Sequence, residues 1–123
     1  MTNAREQGLE VLHQMLPGVF DADSEDLRDG RFGDELLEIG LDNVFGRLWA
    51  RDGLSRRDRS LVTMGILIAM RATDEFKAHV TIGRNNGLTE DEIAEVIYHA
   101  SGYAGFPSAN SALTAAREAL EGP

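Results

Sequence analysis

The chain has 123 residues, a formal net charge of −9 at pH 7 and no cysteine, which suits one domain with a single core and excludes disulfides, thiolate metal sites and cysteine nucleophiles. That charge has the wrong sign for a protein that gains affinity by neutralising nucleic-acid phosphates or an anionic membrane surface, so neither is expected as a partner. Chemistry must therefore run on His, Tyr, Ser, Arg or carboxylate groups, and an anionic ligand must be met locally. The stretch "RDGLSRRDR" offers Arg51, Arg56, Arg57 and Arg59 for that purpose.

The opening "MTNAREQGLEVLHQ" carries Arg5, Glu6 and Glu10 among its apolar residues, which fits neither a signal peptide nor a membrane span; a cytoplasmic location is the expectation. No tract alternates as a strand does, while apolar spacings of three and four recur throughout, so the fold class is all-α. A first helix is predicted over Ala4–Met15, with Leu9, Leu12 and Leu16 on one side, ending before Pro17-Gly18. The acidic connector "DADSEDLRDG" follows. It begins like a calcium loop but has Asp26 at the turn position that needs glycine and Phe32 where a bidentate glutamate belongs.

Leu36, Leu37, Ile39, Leu41, Val44, Phe45 and Leu48 predict a second helix from about Phe32 to Trp49, closed by the "RDGL" turn. Ser55, with Asp58 three residues on, caps a third. Its run "LVTMGILIAM" is apolar nearly all round, the pattern of a central buried helix, and is too short to span a bilayer. Thr73, Asp74 and Glu75 predict the cap and acidic first turn of a fourth helix ending at "NNG". "TEDE", Thr89–Glu92, is a capping box opening the fifth, and a sixth follows Pro107. In that last helix Ala109, Leu113, Ala116 and Leu120 share a stripe that suits either the chain's own core or a neighbouring subunit. About six helices in one domain, residues 1–123, are expected.

Two helices carry groups able to do chemistry. Glu75 and His79 are four residues apart and share a face, so the carboxylate can orient the imidazole and raise its basicity; an exposed ion pair of no consequence has the same spacing. Glu92, Val96, His99 and Tyr103 form one stripe of the fifth helix beside the apolar Ile93, Ile97 and Ala100. His99 thus stands at the border of the buried face, either lining a cavity or satisfied by a backbone carbonyl. The histidines His13, His79 and His99 have no ligand spacing on any one helix, so no metal site is expected. Gly102 and Gly105 follow no strand and give no phosphate loop.

The segments "VFGRLWARDGLSRRDRSLVTMGILIAM" and "EFKAHVTIGRNNGLTEDEIAEVIYHASGYAGFPSANSAL" closely resemble the carboxymuconolactone decarboxylase family, helical proteins related in fold to the alkylhydroperoxidase D group, over about Phe32 to Leu120. The family's peroxidase branch has a Cys-x-x-Cys pair and an upstream glutamate where this chain has Ala72, Glu75 and Ser60. Its decarboxylase branch has a Trp before an Arg-x-Gly-Leu turn, an Arg-Ser helix start, a Glu-x-x-x-His helix and a His-x-x-x-Tyr-x-Gly-x-Pro end. Trp49, Arg51, Arg59, Ser60, Glu75, His79, His99, Tyr103, Gly105 and Pro107 match that pattern.

The resemblance implies a carboxy-lyase without cofactor that decarboxylates a small carboxylated unsaturated lactone in aromatic-compound catabolism, assembled as a homo-oligomer, trimer or hexamer. It implies that Arg51 or Arg59 holds substrate carboxylates, that His79 oriented by Glu75 delivers a proton, that His99 or Tyr103 serves the developing oxyanion, and that Trp49 walls the pocket; the two histidines exchange roles equally well. The paired arginines of typical members fall at Leu12 and His13 here, which points to a substrate with fewer or different carboxylates. A lactone hydrolase or isomerase on the same scaffold, and an oligomeric binding protein without catalysis, are the alternatives.

Overall fold

The computed structural model describes residues 3–20 and 26–122, all-helical in its regular structure and falling into two compact units divided after Leu54. The first half of the acidic connector, residues 21–25, lies outside the described residues. None of the described helices is long and apolar enough to cross a membrane.

In the first unit α1 covers Ala4–Met15, as its pattern predicts, and the Asn3 side chain caps it by accepting the Glu6 N–H at 2.8 Å. Its buried face is Gly8, Val11, Leu12 and Met15; Leu9 and Leu16 are only partly buried, so the apolar stripe is turned from the one expected. The long second helix expected from Phe32 is shorter and of two kinds. A turn occupies Gly33 and Asp34, α2 runs over Glu35–Gly40, and the chain continues as a π-helix over Leu41–Trp49. The wider turn shows in the bond from the Ala50 N–H to the Phe45 carbonyl, five residues back, at 3.1 Å.

Two glycines let α1 lie against this π-helix. A Cβ on Gly46 would overlap the backbone carbonyl of Ala4, and one on Gly8 would overlap the carbonyl of Leu41. The helices therefore touch backbone to backbone, with Leu41 and Trp49 buried in the unit's interior. Arg5 on α1 binds both carboxylate oxygens of Glu38 on α2 at 3.2 Å, and Glu38 also accepts the Leu27 N–H at 2.8 Å.

The second unit is a four-helix arrangement of α3 (Arg56–Met70), α4 (Thr73–Asn85), α5 (Glu90–Ala104) and α6 (Phe106–Glu121). α3 and α6 each pack on both α4 and α5, while α4 and α5 barely meet. Met64, Ile68, Phe76, Val80, Leu88, Ile93 and Ile97 fill the middle, with the alanines of α6. Ser55 caps α3 by accepting the Asp58 N–H at 3.0 Å, and Thr89 with Glu92 forms the expected capping box.

Three details differ from the sequence pattern. Thr73 does not cap α4: α3 ends in a Schellman turn with Arg71 left-handed at φ 57°, so the chain re-enters helix at once and Thr73 is already helical. α6 starts at Phe106, with Pro107 in its first turn. Above all, α3 is not buried on every side. Only Ser60, Met64 and Ile68 are buried, and Val62, Ile66 and Met70 stand exposed. The small residues of α6, by contrast, face the chain's own core, where Ala109, Ala112, Ala115 and Ala116 are buried and Leu113 packs against them.

A candidate active site on alpha3, alpha4 and alpha5

Between α3 and α5 runs an open groove of about 850 Å³, floored by Leu61, Gly65 and Ala69 of α3 and by Val96 and Ala100 of α5. The stripe Glu92, Val96, His99, Tyr103 read from the sequence lines it in full. His99 and Tyr103 stack along one wall, ring centroids 5.2 Å apart and tilted by 35°. Both rings are exposed, and among the described residues no hydrogen bond fixes either, so the imidazole and the phenol can turn toward a ligand.

Glu92 is held at the end of this groove. Its carboxylate caps the α5 N-terminus by accepting the Thr89 N–H at 2.9 Å and pairs with Arg57 of α3, tying the two walls together. Asp91 and Glu95 add two more carboxylates to the lining. Glu95 went unnoticed in the sequence, although it precedes His99 by four residues, the same spacing as Glu75 and His79. No lysine or arginine lines the groove among the described residues, so its own charge repels an anion.

The other histidine lies elsewhere. Glu75 is exposed in the first turn of α4, and His79, one turn on, is half-buried. Burial pushes the His79 pKa below its ordinary value of about 6.5, and the negative charge of Glu75 acts against that shift. Further along α4's C-terminal end, the Asn86 amide donates to the fully buried Ser60 Oγ of α3 at 3.0 Å. Neither Glu75 nor His79 lines the α3–α5 groove.

The structure thus brings His99 and Tyr103 together, and separately Glu75 and His79. Arg59 is half-buried in the first turn of α3. Trp49 and Arg51 belong to the first unit, Trp49 buried at the end of the π-helix and Arg51 exposed in the turn after it.

The family model of the carboxymuconolactone decarboxylase family matches residues 35–118. The chain belongs to that family. A carboxymuconolactone decarboxylase family relative from Acinetobacter baylyi, 4-carboxymuconolactone decarboxylase, is 38% identical over 116 residues, covering 94% of this chain and 85% of the relative. A second, the nitrosuccinic acid decarboxylase of Metarhizium robertsii, is 38% identical over 90 residues, 73% of this chain and 61% of that one. Within the family, this chain carries no thiol: α4 begins with Ala72 as its cap residue and carries Glu75 in its first turn, and Ser60 fills the buried position on α3.

Proposed function

We propose that this chain is a carboxy-lyase that removes carbon dioxide from a small acid whose carboxylate-bearing carbon is joined, directly or through a double bond, to an electron-accepting group, a carboxylated unsaturated γ-lactone first of all. The observation that carries this reading is the 38% identity to 4-carboxymuconolactone decarboxylase over 94% of the chain. The likeness to a nitrosuccinic acid decarboxylase supports the broader class, since a nitro group, like a conjugated lactone carbonyl, takes up the electron pair left by departing carbon dioxide.

In the proposed reaction the C–CO2 bond breaks, its electron pair moves through the double bond onto the lactone carbonyl, and a proton is delivered to carbon. No metal or organic cofactor is called on, because the substrate is its own electron sink. Arg51 or Arg59 holds the carboxylate through a guanidinium fork. His79, set by Glu75, delivers the proton, and His99 or Tyr103 donates to the oxygen where charge develops. The working form is a homo-oligomer in the cytoplasm.

The test is loss of the unsaturated-lactone absorbance when 4-carboxymuconolactone meets the protein, run beside His79→Gln. Turnover that the variant lowers by roughly 100-fold or more, the usual contribution of a positioned acid, supports the reading. A variant as fast as the wild type removes His79 from the chemistry. Absence of turnover, with carbon dioxide release seen only on nitro acids, moves the substrate to the second class.

A further inference from the structure

An arginine stands where the backbone asks for glycine. Among the described residues Arg71 alone takes a positive φ without being glycine, 57°, in the turn that closes α3 and leads into α4, the helix of Glu75 and His79. Glycine would fit that turn without steric cost, so what the position gains is the side chain. Arg71 is exposed, yet its inner nitrogen is anchored: Nε–H donates at 3.0 Å to the Oγ of Ser108 on α6, which is 5% exposed. That bond leaves the two terminal nitrogens as a fork of donors. Arg5, Arg28 and Arg57 each hold a carboxylate, whereas no carboxylate among the described residues pairs with Arg71.

The Arg71–Ser108 bond stands at one end of the α3–α5 groove. Arg71 follows the lining residue Ala69 by two positions, and Ser108 follows Ala104, the last lining residue of α5, by four. Tyr103 belongs to this end, while Asp91, Glu92 and Glu95 gather at the other, in the first two turns of α5. The groove is thus polarised along its length, with carboxylates at one mouth and a cation past the other. An acid lying in it is turned with its charge away from Asp91 and Glu95 and toward Arg71. Arg59, in the first turn of α3, lies about 18 Å back along the same helix.

We propose that Arg71, held by Ser108, binds a carboxylate that the product keeps, so that the substrate is a small diacid anchored by one carboxylate while it loses the other. The retained group is the one assigned, because a cation paired with the departing carboxylate would lose its partner's charge as carbon dioxide forms, and so would oppose the step. This rests on the decarboxylase reading above and adds to it a binding residue and a substrate class.

Arg71→Gly separates this role from a structural one, in which the cation serves only the helix C-terminus and Ser108. With 4-carboxymuconolactone the variant should show a KM raised about 10- to 100-fold at nearly unchanged kcat, the size of a lost charge-assisted hydrogen bond. Its Tm should stay at or above that of the wild type, since glycine suits the left-handed turn. Methyl esterification of the retained carboxylate should raise the wild-type KM by the same factor and add nothing in the variant. A wild-type KM in Arg71→Gly overturns the proposal. Should that variant lose helix content, Arg71→Asn, which also tolerates the turn and carries no charge, takes its place in the comparison. Wild-type protein without turnover speaks against the decarboxylase reading, and the carboxylate site is then read from binding alone. Maleate, a small diacid, should raise the Tm of the wild type and leave that of Arg71→Gly where it was; an equal rise in both, or none in the wild type, overturns the site.

Discussion

Replacing Gly46 by alanine adds one methyl group and should break the packing of the first unit. In an ordinary exposed helix that change stabilises, by up to about 1 kcal/mol, because alanine holds helical conformation better than glycine. Here the new Cβ would overlap the carbonyl group of Ala4 and lie 3.1 Å from its Cα. Those are backbone atoms at the start of α1, which cannot swing aside as a side chain would. Relief requires α1 to recede from the π-helix, loosening the contacts of Val11, Leu12 and Met15, all buried on that face. Overpacking costs about 1–3 kcal/mol, and the rigidity of the obstacle places this site near the upper end. Net of the helix gain, about 1–2 kcal/mol of destabilisation is expected.

Trp49 is the chain's one tryptophan and is buried in the same unit, so its fluorescence during urea unfolding reports on this packing. The control is Gly40→Ala in the same helical run, where φ is −63° and a Cβ meets nothing within 4 Å. Gly40→Ala should leave the midpoint unchanged or raise it, and Gly46→Ala should lower it. Equal midpoints for the two variants would refute the close backbone approach.

Two further outcomes follow from the second unit. The folded pKa of His79 lies below its ordinary 6.5, so the unfolded chain binds more protons as the pH drops below about 6.5. His79 therefore lends stability above that pH and loses it as the pH falls toward the folded value. Tm measured from pH 8 to 5 should fall less steeply in His79→Gln than in wild type, and parallel curves would contradict the burial of the ring. Ser60→Ala removes the buried acceptor of the Asn86 amide and should cost about 1–2 kcal/mol in urea unfolding; Ser60→Thr, which keeps the hydroxyl, reports separately on lost space.

How much of this was legible in the sequence depended on whether a local signal was enough. The caps of Ser55 and Thr89 and the turn at Gly87 are short-range chemistry, and the structure has them where the residues predict. The stripe Glu92, Val96, His99, Tyr103 was equally readable, since spacing on one helix fixes a shared face. The π-helix was not, because nine residues are too few for apolar spacing to tell a wider turn from an α-helical one. Nor could the all-round apolarity of α3 say what lies on each side. A pattern records which faces need cover, and among its own chain's packing helices α3 is covered on only part of its surface. That α6's alanines turn inward could likewise be decided only by packing.

The absence of thiols bears directly on how α4 can work. Burial alone would leave His79 neutral near pH 7, a good acceptor and a poor donor. A negative charge one turn earlier favours the protonated ring, so Glu75 and burial pull the same pKa in opposite directions. Glu75 occupies one of the two positions where the peroxidase branch is expected to carry its cysteines. A carboxylate at that position in place of a thiol cannot transfer electrons but does tune a proton, through its charge on His79. Glu75→Gln should lower the His79 pKa further and, with His79 as the proton donor, move the alkaline limb of the turnover profile to lower pH, whereas loss of a merely structural contact would lower turnover equally at every pH.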